Sequence, residues 1–73
     1  MADTVMKMLD VTLNGQIQQI PQGSNVRYML DEMKLGKQAI VYLNGKKLLQ
    51  KEYDVVLLQP FDELRIIKPL AGG

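Results

Sequence analysis

The dipeptide Asn-Gly occurs twice, at Asn14-Gly15 and Asn44-Gly45, and each copy follows a run rich in apolar residues. Both residue types tolerate positive φ, which the tightest hairpin turn requires at both of its central positions. The chain is thereby committed to two sharp reversals between strands. Before the first, Leu9, Val11 and Leu13 alternate with Asp10 and Thr12, the period of a half-buried strand, and the strand is read from Met6 to Leu13. Gln16 to Ile20 is its return; the pattern is weak there, and either Ile20 is inward with Ile17 outward or the strand carries a bulge. Before the second turn, Gln38 to Leu43 reads as a strand with Val41 and Leu43 inward and Ile40 and Tyr42 outward. The last strand, Glu63 to Lys68, turns Leu64 and Ile66 inward and Arg65 and Ile67 outward. Pro69 has no N–H to give a ladder, so the tail leaves the sheet there.

One helix fits between the two hairpins. Ser24 or Asn25 can cap it by accepting a hydrogen bond from a free N–H of the first turn. Val26, Met29, Leu30 and Met33 then recur at helical spacing, and Gly36 offers a left-handed stop. A helix of about nine residues is marginal alone and must pack on the sheet. Glu52-Tyr53-Asp54 reads as an irregular or single-turn segment, Val55 to Leu58 as a short strand or buried loop, and Pro60-Phe61-Asp62 as a turn. Strands on either side of one short helix imply a two-layer α+β domain spanning residues 1–73, with a flexible tail over about 69–73.

Composition narrows the chemistry. The chain has 73 residues, the size of one domain with a barely sufficient core. Its formal charge is +1, which argues against a nucleic-acid binder; the one dense basic spot, Lys46-Lys47 with Lys51 nearby, reads as a solvated turn. No apolar run approaches the ~18 residues of a membrane span, and the start lacks a signal peptide's pattern. A cytoplasmic protein is expected. Cysteine and histidine are both absent, which removes thiolate chemistry, the commonest metal ligands and the commonest general base. Ser24, Thr4, Thr12 and the lysines have no evident base beside them, and Asp31/Glu32 and Asp62/Glu63 are adjacent pairs that point apart. The expectation is a chain with no catalytic residue, no metal site and no bound cofactor of its own.

The remaining chemical asset is the end of the chain, Leu70-Ala71-Gly72-Gly73. A terminal Gly-Gly is a carboxylate on a bare, thin peptide with no Cβ to obstruct close approach. No charged side chain follows Lys68, so these residues can enter a narrow channel that excludes water. Extended, the five residues after Lys68 reach up to about 17 Å.

The ordered set Val11-Thr12-Leu13-Asn14-Gly15, Val41-Tyr42-Leu43-Asn44-Gly45 and Asp62-Glu63-Leu64-Arg65-Ile66-Ile67, ending in Ala71-Gly72-Gly73, resembles the β-grasp sulfur carriers of the ThiS/MoaD group, relatives of ubiquitin. Glu52-Tyr53 and the compact length are similar to carriers of the thiazole pathway. Pro60-Phe61-Asp62 stands where the family commonly has Asp-Gly-Asp, and Pro69-Leu70-Ala71 is similar to the molybdopterin type as much as to the thiamine type. The resemblance implies a mixed four- to five-stranded β-grasp sheet with one main helix on one face. It implies that Gly73 is adenylated and then thiocarboxylated, with Leu70, Ala71 and Gly72 threaded into partner active sites. ATP would bind the activating partner, a ubiquitin-activating-enzyme-like adenylyltransferase of the ThiF/MoeB type. A cysteine desulfurase is a fitting sulfur donor. The acceptor would be a thiazole synthase of the ThiG type or a molybdopterin synthase large subunit.

Alternation suggests where partners dock. With Val41, Leu43, Leu64 and Ile66 facing the helix, Tyr42 and Ile67 face away on strands that neighbour one another in a β-grasp sheet. Ile40 and Ile17 could extend that patch, and Arg65 and Lys68 could meet acids on the activating enzyme. The readings left open are a carrier for thiamine thiazole, a carrier for molybdopterin or another metabolite, a ubiquitin-like modifier, and a binding module whose Gly-Gly is incidental.

Overall fold

The computed structural model describes residues 7–69. Strand β1 (Met8–Leu13) turns at Asn14-Gly15 into β2 (Gln16–Pro21). Helix α1 (Val26–Glu32) follows, then β3 (Ile40–Leu43), a second turn at Asn44-Gly45, and β4 (Lys46–Lys47). A 3-10 turn (Gln50–Glu52) and a loop lead to β5 (Glu63–Ile67). Both Asn-Gly turns have the expected positive angles, φ 49° and 86° at the first and 52° and 87° at the second.

The five strands lie in the order β2-β1-β5-β3-β4. β5 sits at the centre, parallel to β1 and antiparallel to β3. This is the β-grasp arrangement implied by the resemblance: a mixed sheet grasping one helix. Leu9, Val11 and Leu13 of β1, Ile20 of β2, Val41 of β3 and Leu64 and Ile66 of β5 pack with Val26, Met29 and Leu30 of α1 in a single core. Ile17 is 74% exposed and Ile20 is 3% exposed, so β2 buries one isoleucine and presents the other.

Three details differ from the sequence expectations, and one open choice is resolved. The helix is seven residues long and its left-handed stop is Lys34, at φ 60°, instead of Gly36. Leu35 N–H reaches back to Leu30 O and Lys34 N–H to Asp31 O, the paired bonds of a Schellman ending. The apolar contact in that motif requires Leu35 to meet the core, and Leu35 packs there, which fixes the stop two residues earlier than Gly36. The open choice of cap falls to Asn25 and not Ser24: its Oδ1 accepts from Tyr28 N–H at 2.8 Å. The Ser24 hydroxyl instead donates to Pro21 O at 2.6 Å. Second, β3 starts at Ile40 because the Ala39 carbonyl is taken by the Tyr53 hydroxyl at 2.8 Å. Third, residues 55–58 are neither a strand nor buried throughout. Leu57 makes one isolated bridge to Asn25, Leu58 alone is buried, and Val55 and Leu57 are exposed. For β1, the described strand begins at Met8; Met6 lies outside the described residues.

Candidate functional site

β5 is the strand that carries the tail, and its two faces differ. Leu64 and Ile66 are buried, whereas Glu63, Arg65 and Ile67 are exposed. The register with β3 pairs Ile67 with Ile40 and Arg65 with Tyr42. Opposed residues of a ladder share a face, so Ile40, Tyr42, Arg65 and Ile67 meet on the side away from the helix. Tyr42 and Ile67 are diagonal neighbours there, within reach of an aromatic side chain. Tyr42 and Ile40 are half-buried, and Ile67 is 45% exposed. Lys47 of β4 pairs with Tyr42 on its other side. The result is a small apolar strip of Ile40, Tyr42 and Ile67 with cations at Arg65 and Lys47 beside it. A shallow concavity lies over this strip and is lined by Tyr42, Arg65 and Ile67 together with Asn14, Gly45 and Glu63.

The structure thus brings together all four residues expected on the docking face. It does not bring Ile17 to them. Ile17 pairs with Thr12, and Thr12 is level with Glu63, so Ile17 sits two strands from β5 and at the opposite end from Ile67. Lys68 is exposed just past β5. Leu70, Ala71, Gly72 and Gly73 lie outside the described residues. Glu52 and Tyr53, one mark of the resemblance, have structural work: Glu52 Oε1 accepts Leu49 N–H at 2.7 Å, and Tyr53 is 3% exposed in the core. Among the described residues no group of three or more acidic side chains could hold a metal ion.

Sequence reasoning saw the two asparagines only as turn formers. In the structure their side chains also hold β5. From β1, Thr12 N–H donates to Asp62 O and Asn14 N–H to Leu64 O, each at 2.9 Å. β1 ends there, yet the ladder continues: Asn14 Nδ2 donates to Ile66 O at 3.2 Å and Asn14 Oδ1 accepts Ile66 N–H at 2.9 Å. The side-chain amide serves as one more rung. On the other side Asn44 Oδ1 accepts Glu63 N–H at 2.8 Å, Asn44 N–H donates to Glu63 O at 2.7 Å, and Asn44 Nδ2 donates to Asp62 Oδ1 at 3.0 Å. Asn44 therefore pins the start of β5 and Asn14 its end. The only signal in the sequence was the choice of Asn, over Asp or Gly, at both turns.

The comparisons agree with this architecture. A model of the ThiS family matches residues 11–73. Three solved chains match. One is a thiamine biosynthesis protein (ThiS) from Geobacter metallireducens, with a TM-score of 0.73 at 23% identity; the match covers 89% of this chain and 100% of that one. At that identity the likeness bears on the fold alone. No curated protein matches.

Proposed function

The chain belongs to the ThiS family, and from that membership we propose that it carries sulfur for the thiazole of thiamine as a thiocarboxylate on Gly73. The observation that carries this reading is the placement of β5. It is the central strand, held from both sides, and it delivers Ile67 and then Lys68-Pro69 toward Leu70-Ala71-Gly72-Gly73. The strip of Ile40, Tyr42 and Ile67 lies beside that exit. A partner that docks on the strip has the tail within reach of its active site.

The chemistry follows from what the tail is. A carboxylate is a poor acyl donor. When its oxygen attacks the α-phosphorus of ATP held by an activating partner, pyrophosphate leaves and an acyl-adenylate forms. Hydrosulfide adding to the Gly73 carbonyl expels AMP and leaves the thiocarboxylate directly; a persulfide donor expels AMP to give an acyl disulfide, whose S–S bond a thiol then cleaves to the thiocarboxylate and a disulfide. The protein is a co-substrate in this scheme. Its side chains dock and orient, while ATP and the catalytic groups belong to the adenylyltransferase of the ThiF/MoeB type and to the thiazole synthase. Arg65 and Lys47 fit an acidic rim on the activating partner. The reactions belong to the cytoplasm, where ATP and the sulfur donors are found; no helix among the described residues is long and apolar enough to cross a membrane.

The test is the intact mass of the purified full chain after incubation with the host's cell extract, ATP and a sulfur donor. Replacement of one oxygen by sulfur, mapped to Gly73, is the expected outcome. An unchanged mass, with a known carrier converted in the same extract, overturns it. A chain extended by one residue past Gly73 should fold normally and gain no sulfur. If the thiocarboxylate serves a molybdopterin synthase and not a thiazole synthase, the pathway assignment fails while the carrier role stands.

A further inference from the structure

We propose that Asn14 is a positioning residue for the carrier reaction: its side-chain amide fixes the direction in which the chain leaves β5. The proposal rests on the reading of Gly73 as the reacting end. The ladder geometry argues for it. Carbonyls of Asp62, Leu64 and Ile66 face β1, one every second residue. The first two are met by the backbone of Thr12 and Asn14, and the third is met by the Asn14 side chain. Without that amide, Ile66 would be the point where β5 loses its neighbour on the β1 side. Past it, only the pairing of Ile67 with Ile40 would hold the strand. Strand ends paired on one side fray at little cost in free energy. A frayed end lets the tail sweep a wide range of directions, and the fraction of docked encounters that place it in a partner's channel falls.

Docking and delivery are separable here. The strip that docks, Ile40, Tyr42 and Ile67, is held by β3 and the core. The exit direction is held in addition by Asn14. Loss of the amide should therefore spare recognition and slow the step that needs an aligned tail. Reactions that depend on such alignment are sensitive: a displacement of about 1 Å can cost up to about a hundredfold in rate.

Asn14→Gly is the informative variant. Glycine accepts the positive φ of this turn, 49°, without strain, so the hairpin persists while both side-chain bonds disappear. In ATP–pyrophosphate exchange catalysed by the activating partner, kcat should fall about fivefold or more, with KM for the carrier changed less than about twofold. A merely structural role gives the opposite split. Partial unfolding of a carrier lowers the concentration of competent substrate, which raises apparent KM and leaves kcat alone. Asn14→Asp, which keeps the acceptor for Ile66 N–H and loses the donor, should lie between wild type and Asn14→Gly. On the protein alone, hydrogen exchange at the Ile66 amide should quicken at least about tenfold in Asn14→Gly, and 15N relaxation should report greater motion at Lys68, past the Ile40–Ile67 pair. Unchanged exchange and relaxation, or a change confined to KM, overturns the proposal. If wild type supports no exchange of pyrophosphate, the carrier reading itself has failed, and the protein-only measurements still decide whether Asn14 holds the strand end.

Discussion

The two Asn-Gly turns have the same dipeptide and nearly the same backbone, with φ of 49° and 52° at the asparagines, yet they hold β5 in different ways. Asn44 belongs to a network. Its Nδ2 meets Asp62 Oδ1, and Asp62 Oδ2 in turn accepts Gln59 N–H at 2.7 Å. The start of β5 is thus tied to the preceding loop as well as to β3. Asn14 works alone: both of its side-chain bonds go to one residue, Ile66. Redundancy marks the end of β5 that only has to stay in place. A single two-pronged clamp marks the end that hands the chain to the tail. One dipeptide has been used once for anchoring and once for aiming.

The largest expected effect tests what the turns share. Alanine at either asparagine loses the side-chain bonds and must adopt the left-handed region. Each asparagine makes two side-chain bonds, each contributing about 1 kcal/mol, and the backbone adds about 1–2 kcal/mol, so Asn14→Ala and Asn44→Ala should each destabilise by about 3–4 kcal/mol. The glycine variants keep only the hydrogen-bond loss. Because the dihedrals match, the difference between alanine and glycine should be the same at both turns. Urea unfolding of the four variants measures this. Unequal differences would mean that the turns are not equivalent in backbone strain, and the comparison would lose its footing.

A double-mutant cycle separates the two turns. Asp62→Ala removes a partner of Asn44 and none of Asn14. Stability losses of Asn44→Gly and Asp62→Ala should fall short of additivity by about 1 kcal/mol, as for groups in one network. Asn14→Gly and Asp62→Ala should add. Coupling of Asp62 to Asn14 as strong as to Asn44 would abolish the distinction between a networked and a solitary clamp.

What the sequence disclosed has a physical pattern. Period and turn chemistry are local, so the strand faces of Leu64, Arg65, Ile66 and Ile67, the two reversals, and the cap near Asn25 were all legible. Which strands adjoin was legible only through the resemblance, because nothing local places β5 between β1 and β3. Lys34 displaced Gly36 as the helix stop because Leu35 had to reach the core, a tertiary demand that overrode local preference. Ala39 left the third strand because a distant hydroxyl, that of Tyr53, claimed its carbonyl. That Ile40, Tyr42, Arg65 and Ile67 share one face of the sheet was legible, since alternation gave the face and the fold gave the neighbours. Ile17 shared the face but not the level. The asparagine clamps were hidden for a plain reason. A side chain that bonds to residue 66 from residue 14 leaves no trace in the residues around it.

The smallest effect concerns a third left-handed residue beside β5. Phe61 has φ 67° and is 81% exposed, and its N–H donates to Asp10 O at 2.7 Å. A bulky aromatic residue is an outlier in that region, and neither asparagine's nor glycine's tolerance is available to it. The backbone bond to Asp10 needs no side chain, so Phe61→Gly should keep it. Release from the left-handed region is worth about 1–2 kcal/mol, and the added freedom of glycine in the unfolded chain takes back about 0.5–1 kcal/mol. The net is a gain of about 0.5 kcal/mol, readable as a rise of a few degrees in Tm. The variant leaves Asn14, Asn44 and the docking strip untouched, so it should stabilise the start of β5 without altering kcat in the exchange assay. A fall in kcat with unchanged stability would place Phe61 among the residues that meet a partner, and the aiming function would then extend to both ends of the strand.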